Sequence, residues 1–281
     1  MCELYNSFTK LCNTSFLISY HLCNAVRIRS QLKIKKMKTI KLLTALAMVS
    51  VVLTTGCEKD ETNPANQIEI PVQTTVQTAI PLADASNIAI LSGSAVTNTG
   101  ATVITGDIGL SPGTSVGGFP PGILNGTLHI NDAIATQAKL DLTAAYNDAA
   151  GRTCTDIVTL SGNIGGLTLT PGLYKSTSSL AISSGDLTFD AMGNADAVFI
   201  IQIASSLTTT SGRKVFLSGG ALASNIFWQV GSSATFGTTS VFKGTVMAMQ
   251  SITFNTGATL DGRALARIGG ITMAGNTIVK Q

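Results

Sequence analysis

The chain has 281 residues, 44% of them hydrophobic and only 12% charged, with 28 glycines and 5% aromatic residues. This composition excludes disorder, and low charge with abundant Gly, Ser, Thr and β-branched residues favours an all-β architecture of many short strands. The net charge of +3 is no argument for nucleic acid. Eight Lys/Arg and one Glu lie at or before Cys57, leaving ten Lys/Arg against fourteen Asp/Glu and a net of −4 beyond it.

Residues 1–36 hold Cys2, Cys12 and Cys23 but no periodic pattern, and read as an upstream extension with translation starting at Met37. From there a basic start, Met37-Lys-Thr-Ile-Lys41, leads into the apolar run Leu42 to Leu53 and then Thr54-Thr-Gly-Cys57. A basic start, an apolar stretch of about a dozen residues and small residues before the cleavage point make a secretory signal. The run is short for a transmembrane helix, which needs about 20 residues. The cysteine after small residues resembles the lipobox of bacterial lipoproteins, although Thr54 stands where Leu is usual. The resemblance implies a signal peptide over 37–56, acylation of Cys57, and export to the cell envelope, at the outer membrane or cell surface. After Cys57 only Cys154 remains, so no intrachain disulfide is expected and stability must come from packing.

Residues 57–80 read as a flexible polar tether and 81–281 as one domain. From Asn131 to Ala150, apolar residues fall at Ile134, Ala138, Leu142, Ala145 and Ala149, one stripe of an α-helix over 131–150. Asn131 or Asp132 can cap its start, and Gly151 ends it. The narrow, alanine-rich stripe predicts close packing along a sheet.

Beyond residue 160 the chain repeats. Leu207-Thr-Thr-Thr210, Ala234-Thr-Phe-Gly237, Ile252-Thr-Phe-Asn255 and Ile271-Thr-Met-Ala274 align, each following an apolar strand. A period of roughly 20 residues built of strands is the signature of a β-helix. An insertion interrupts it near Ser218 to Ser224. Strand side chains alternate. Leu207, Phe236, Phe254 and Met273 therefore point inward, and Thr208, Thr235, Thr253 and Thr272 form an outward file. A second file two residues on holds Thr210, Gly237, Asn255 and Ala274.

Chemistry-bearing motifs are sparse. Gly109-Leu-Ser111-Pro-Gly113 matches G-x-S-x-G, but an oxyanion hole needs the N–H of the residue after the serine, which Pro112 lacks. His129, the only histidine beyond Cys57, reads as structural and has no partners for a metal site. Arg263 and Arg267 would share a strand face, with Leu265 between them and no acid pair beside them, which argues against a polysaccharide lyase. No enzyme activity and no cofactor are expected.

Several stretches resemble the microbial ice-binding family. They are Ile104-Thr-Gly-Asp-Ile-Gly-Leu-Ser-Pro-Gly113, Thr143-Ala-Ala-Tyr-Asn-Asp-Ala-Ala-Gly-Arg152, Leu167 to Lys175, Ala197 to Ile203, Asn225 to Gly237 and Gly262 to Arg267. The resemblance implies an all-β fold with one long helix: a three-faced, discontinuous β-solenoid, an irregular cap over 109–130, the helix alongside, and chain order that differs from stacking order. It also implies that one flat face binds ice, placing Thr208, Thr210, Thr235, Thr253, Asn255 and Thr272 at the site. The expected partners are ice and, through acylated Cys57, a lipid membrane, with a monomeric protein. Strands about 4.7–4.9 Å apart, with same-face residues about 6.5–7 Å apart, would make a grid near the oxygen repeats of ice. β-Branching would hold that grid rigid. The alternative is a cell-surface adhesin or carbohydrate-binding β-helix module, for which Trp228 and Tyr174 would have to be exposed.

Overall fold

The computed structural model describes residues 70–281. Short strands stack in parallel into coils, and every strand pairing in the sheets is parallel. The coils turn about three faces, as expected. One face is the eight-stranded sheet through Gly162–Asn163, Leu180–Ile182, Leu207–Thr209, Ala234–Phe236, Ile252–Phe254, Ile271–Ala274, Ala95–Thr99 and Ser115–Gly117. The second contains Gly172–Ser176, Phe199–Ile203, Ile226–Val230, Ile88–Ser92 and Asp107–Leu110, and the third begins with Thr168–Leu169, Leu187–Asp190 and Val215–Ser218. Two longer strands, Val241–Ala248 and Thr259–Ala266, cross from the third face to the second. They bend at Gly244 and Gly262, both at positive φ; a Cβ on Gly262 would lie 2.0 Å from the Gly244 carbonyl oxygen. Only glycine lets the two strands turn this corner while stacked.

Chain order and stacking order differ. Ile271–Ala274, near the C-terminus, pairs with Ala95–Thr99, and Thr277–Val279 pairs with Val103–Thr105. The N-terminal coils thus extend the stack beyond the C-terminal one. Polar bonds hold this seam: Arg263 donates to the carbonyls of Ser86 and Gln281, and the N–H of buried Asn276 donates to the Thr102 hydroxyl. Residues 109–130, expected as an irregular cap, form a further coil instead. Its strands Ser115–Gly117, Ile123–Asn125 and Leu128–Ile130 pair on all three faces.

The helix runs Ala133–Gly151 and returns the chain along the stack, a span of about 28 Å at 1.5 Å per residue. Asp132 is its N-cap, accepting from the Ala135 N–H at 2.8 Å. Ala138, Leu142, Ala145 and Ala149 are buried as expected, but Ile134 is exposed and Ala135 takes its place. The helix begins at Ala133 rather than Asn131, and in its first turn the position three before Ala138 faces inward rather than the one four before it. Alanines let the helix sit against Leu173, Ile200, Phe227, Met247, Leu265 and Leu91 in one apolar cluster. Two buried glutamines key its position: Gln202 Nε2 donates to the Ala149 and Arg152 carbonyls at 2.8 Å, and Gln229 Nε2 to the Tyr146 hydroxyl at 2.7 Å. Lys139 Nζ donates to the Ala266 carbonyl at 2.7 Å; burial, with Arg267 nearby, brings its ammonium down to about 8.

The tether reading is corrected where it meets the described residues. Residues 70–80 are docked. Gln73 Oε1 accepts from the Leu173 N–H at 2.8 Å, and Asp156 Oδ2 accepts from the Thr74 and Thr75 N–H groups at 2.6 and 2.9 Å. Arg152 donates to the Thr78 carbonyl, and Ile80 is buried. Hydrogen bonds from Thr75 and Thr74 hold the Asp156 carboxyl well below the usual aspartate range. The segment has no periodic pattern to announce its docking; the Asp156 carboxylate that receives its N–H groups lies beyond the helix, far along the chain.

Candidate functional site

On the eight-stranded face, alternation turns the first-position side chains inward. Leu207, Ala234, Ile252, Ile271 and Val96 are buried, as are the third-position Phe236, Phe254 and Met273. Beneath the face the Phe236 and Phe254 rings stack at 4.8 Å, the same as the spacing between adjacent strands. Phe242 packs on Phe236 at 4.5 Å and Trp228 on Phe242 at 4.9 Å. A close-packed aromatic interior backs the strands at even intervals, which keeps the outer surface level.

The outward file is in register. Thr208 pairs with Thr235, Thr235 with Thr253, and Thr253 with Thr272. Thr272 and Thr97 are exposed, while Thr208, Thr235 and Thr253 are half-buried by their neighbours in the array. Thr210 and Asn255 are exposed in the second file. All six residues expected at the site therefore lie on one face. Neither file contains a titratable group, so the surface is uncharged at any ordinary pH.

The face extends beyond the residues that the repeat reveals. The strand Ala95–Thr99 lies beside Ile271–Ala274, with Thr97 in register with Thr272 and Thr99 with Ala274. Sequence reasoning missed it because the two strands stand near opposite ends of the domain, outside any local repeat. Ser206, Ser233 and Ser251 add a third, half-buried file at the corner, where the ladder continues through Leu207 N–H to Ser233 O and Ala234 N–H to Ser251 O. That file was legible: a serine precedes three of the four aligned segments.

The gap at Gly237 has a structural cause. A Cβ there would lie 2.5–2.7 Å from the Thr210 and Thr209 backbone, and the Gly237 N–H donates to the buried Thr209 hydroxyl at 3.0 Å. The chain dips inward at this point, and no side chain fits. At the other end of the central file stands Ala181; beyond it Asn163 folds its side chain back, accepting from the Ser183 and Gly165 N–H groups.

The remaining chemistry-bearing residues serve the fold. His129 Nδ1 lies 2.7 Å from Asp132 and its Nε2 4.0 Å from Asp107, which ties the helix start to the last coil. The N–H of Ala135, followed by His129, holds the Asp132 carboxyl below its usual range. Ser111 is buried in the turn onto the threonine face. Arg263 spans the seam, and Arg267 lies over the Tyr146 ring at 4.7 Å. Trp228 and Tyr174 are fully buried, with the indole N–H donating to the Lys243 carbonyl at 3.0 Å. Neither is offered for sugar stacking, so the carbohydrate-binding alternative is not favoured.

Comparison with known proteins agrees with this geometry. Residues 90–279 match the family described as ice-binding-like. An ice-binding protein of Nostoc sp. (strain HG1) is 46% identical over 198 residues, 70% of this chain and 72% of that protein. One from Flavobacterium frigoris (strain PS1) is 34% identical over 278 residues, 86% of this chain and 99% of its own. Among solved structures, an ice binding protein from an Antarctic biological consortium superimposes with a TM-score of 0.75 at 76% identity, covering 75% of this chain and 95% of that one. That of the Antarctic ascomycete Antarctomyces psychrotrophicus does so at 0.69 and 41% identity, over 73% of this chain and 99% of that one.

Proposed function

We propose that this chain, which belongs to the ice-binding-like family, attaches to ice through its threonine-faced sheet. The observation that carries the reading is the registered outward file Thr208, Thr235, Thr253 and Thr272, flanked by Thr210 and Asn255. Each threonine offers a hydroxyl that bonds water and a methyl that orders it. Spacing of about 4.8 Å across strands, with restricted χ1, presents these groups in a preorganised array. Waters ordered on the face merge with the crystal lattice, and many weak contacts act at once. Ice then grows between attached molecules as curved, less favourable fronts.

The same reading covers export and anchoring. The signal over 37–56 and Cys57, which lie outside the described residues, would place the protein on a lipid membrane at the cell surface. There it would act as a monomer that holds the cell to ice or limits recrystallisation. No covalent step belongs to it: His129 is tied to carboxylates, and Ser111 is followed by Pro112, which has no N–H to donate.

Ice-affinity partitioning of the full chain against Thr253→Tyr tests the face. The substitution is expected to leave the melting temperature unchanged and abolish partitioning. A variant that enters ice as well as the parent would place the site elsewhere. Labelling with a radioactive fatty acid, absent in Cys57→Ser, tests the anchor.

A further inference from the structure

The outward files differ in what their hydroxyls do. In the second file the Thr210 hydroxyl lies 3.4 and 3.3 Å from the Ile182 and Ser183 carbonyls, and the Thr99 hydroxyl donates to the Met273 carbonyl at 3.3 Å. Gly237 has no side chain, Ala274 has no hydroxyl and is half-buried, and exposed Asn255 has a side-chain amide with no protein partner among the described residues. In the central file none of the hydroxyls of Thr97, Thr208, Thr235, Thr253 and Thr272 has a protein partner among the described residues. Each keeps its hydrogen-bonding capacity for water.

Register makes these five one continuous row. Thr208, Thr235, Thr253 and Thr272 pair in succession, and Thr272 pairs with Thr97 across the seam between the chain's two ends. Four strand spacings give a row about 19 Å long. It stops at Ala181 on one side and at Gly117 on the other, neither of which carries a hydroxyl. Thr97, exposed and at the seam, is thus the terminal rank of the row.

We propose that the five-threonine central row, Thr97 included, is one continuous ice-binding unit that crosses the seam between the chain's two ends. This assignment rests on the reading of the face as ice-binding. Contacts to a rigid lattice form together, so a bulky group at any rank of the row lifts its neighbours off the crystal.

Two variants of the full chain separate the possibilities, each checked for unchanged far-ultraviolet circular dichroism and melting temperature. Thr97→Tyr and Thr253→Tyr are each expected to lower the ice-partition coefficient by at least about tenfold, as for loss of a multivalent contact. If Thr253→Tyr fails to partition while Thr97→Tyr partitions normally, the row does not cross the seam, and the inference fails with the face intact. If both tyrosine variants partition normally, the face itself is wrongly chosen and the inference falls with it. Should Thr97→Tyr misfold, Thr97→Gln is read in its place with the same expectations.

Discussion

Two faces of one solenoid are built from the same coils and meet opposite fates. Under the helix, the outward positions hold Leu173, Ile200, Phe227, Met247, Leu265 and Leu91, with Gln202 and Gln229 between them. On the threonine face the outward positions hold Thr208, Thr235, Thr253, Thr272 and Thr97. Backbone geometry is common to both; side-chain size and polarity decide the rest. Large apolar groups must be covered, and the alanine stripe of the helix covers them. Small hydroxylated groups cost little in water, so that face can stay uncovered. The helix lies over the face that cannot remain wet.

The difference can be broken most severely at the corner where Val241–Ala248 and Thr259–Ala266 turn from the third face onto the helix-covered one. Gly262→Val would thrust a branched side chain against the Gly244 backbone, where even a Cβ lies 2.0 Å from the carbonyl oxygen. Expression as insoluble or unfolded protein is expected, and a folded variant with a normal circular dichroism spectrum would refute the crowding argument. On the covered face alone, Phe227→Ala should cost about 3–5 kcal/mol, the usual penalty for emptying a buried aromatic site. Chemical denaturation measures this, and ice partitioning of the protein that remains folded should be unaffected.

A smaller effect is expected at the polar key between helix and sheet. Tyr146→Phe strands the Gln229 side-chain donor, which now gives its hydrogen bond to the phenol at 2.7 Å. The expected cost is about 1–3 kcal/mol in urea unfolding, again with no loss of ice binding. Asp156→Asn should lower the melting temperature modestly at pH 7, because the carboxylate that receives the Thr74 and Thr75 N–H groups is gone. The sign with pH follows from the depressed Asp156 carboxyl. Its contribution is fully present well above the ordinary aspartate value of about 4 and is lost as pH falls through the lower folded-state value. The gap between parent and variant should therefore shrink on acidification; a gap constant from pH 7 to the acid limit of folding would disprove the linkage. Least of all, Thr235→Val on the open face should shift stability by under about 0.5 kcal/mol.

Much of this was determined by the sequence alone. The strand-built repeat, the inward Leu207, Phe236, Phe254 and Met273 and the outward Thr208, Thr235, Thr253 and Thr272 all follow from the two-residue alternation of a strand. The alanine stripe of the helix is equally local, apart from the one-position shift that exposes Ile134 and buries Ala135. The structure alone decided three things. Thr97 joins the row because Ala95–Thr99 stacks on the C-terminal coil, a pairing between opposite ends of the domain that no local pattern announces. Residues 70–80 bind the domain because Asp156 and Leu173 offer them partners at long range. Residues 109–130 form a coil because the neighbouring strands supply a ladder to add to. Side-chain periodicity is written along the chain, whereas the choice of neighbour is made by hydrogen bonds and contacts between segments the chain itself keeps far apart.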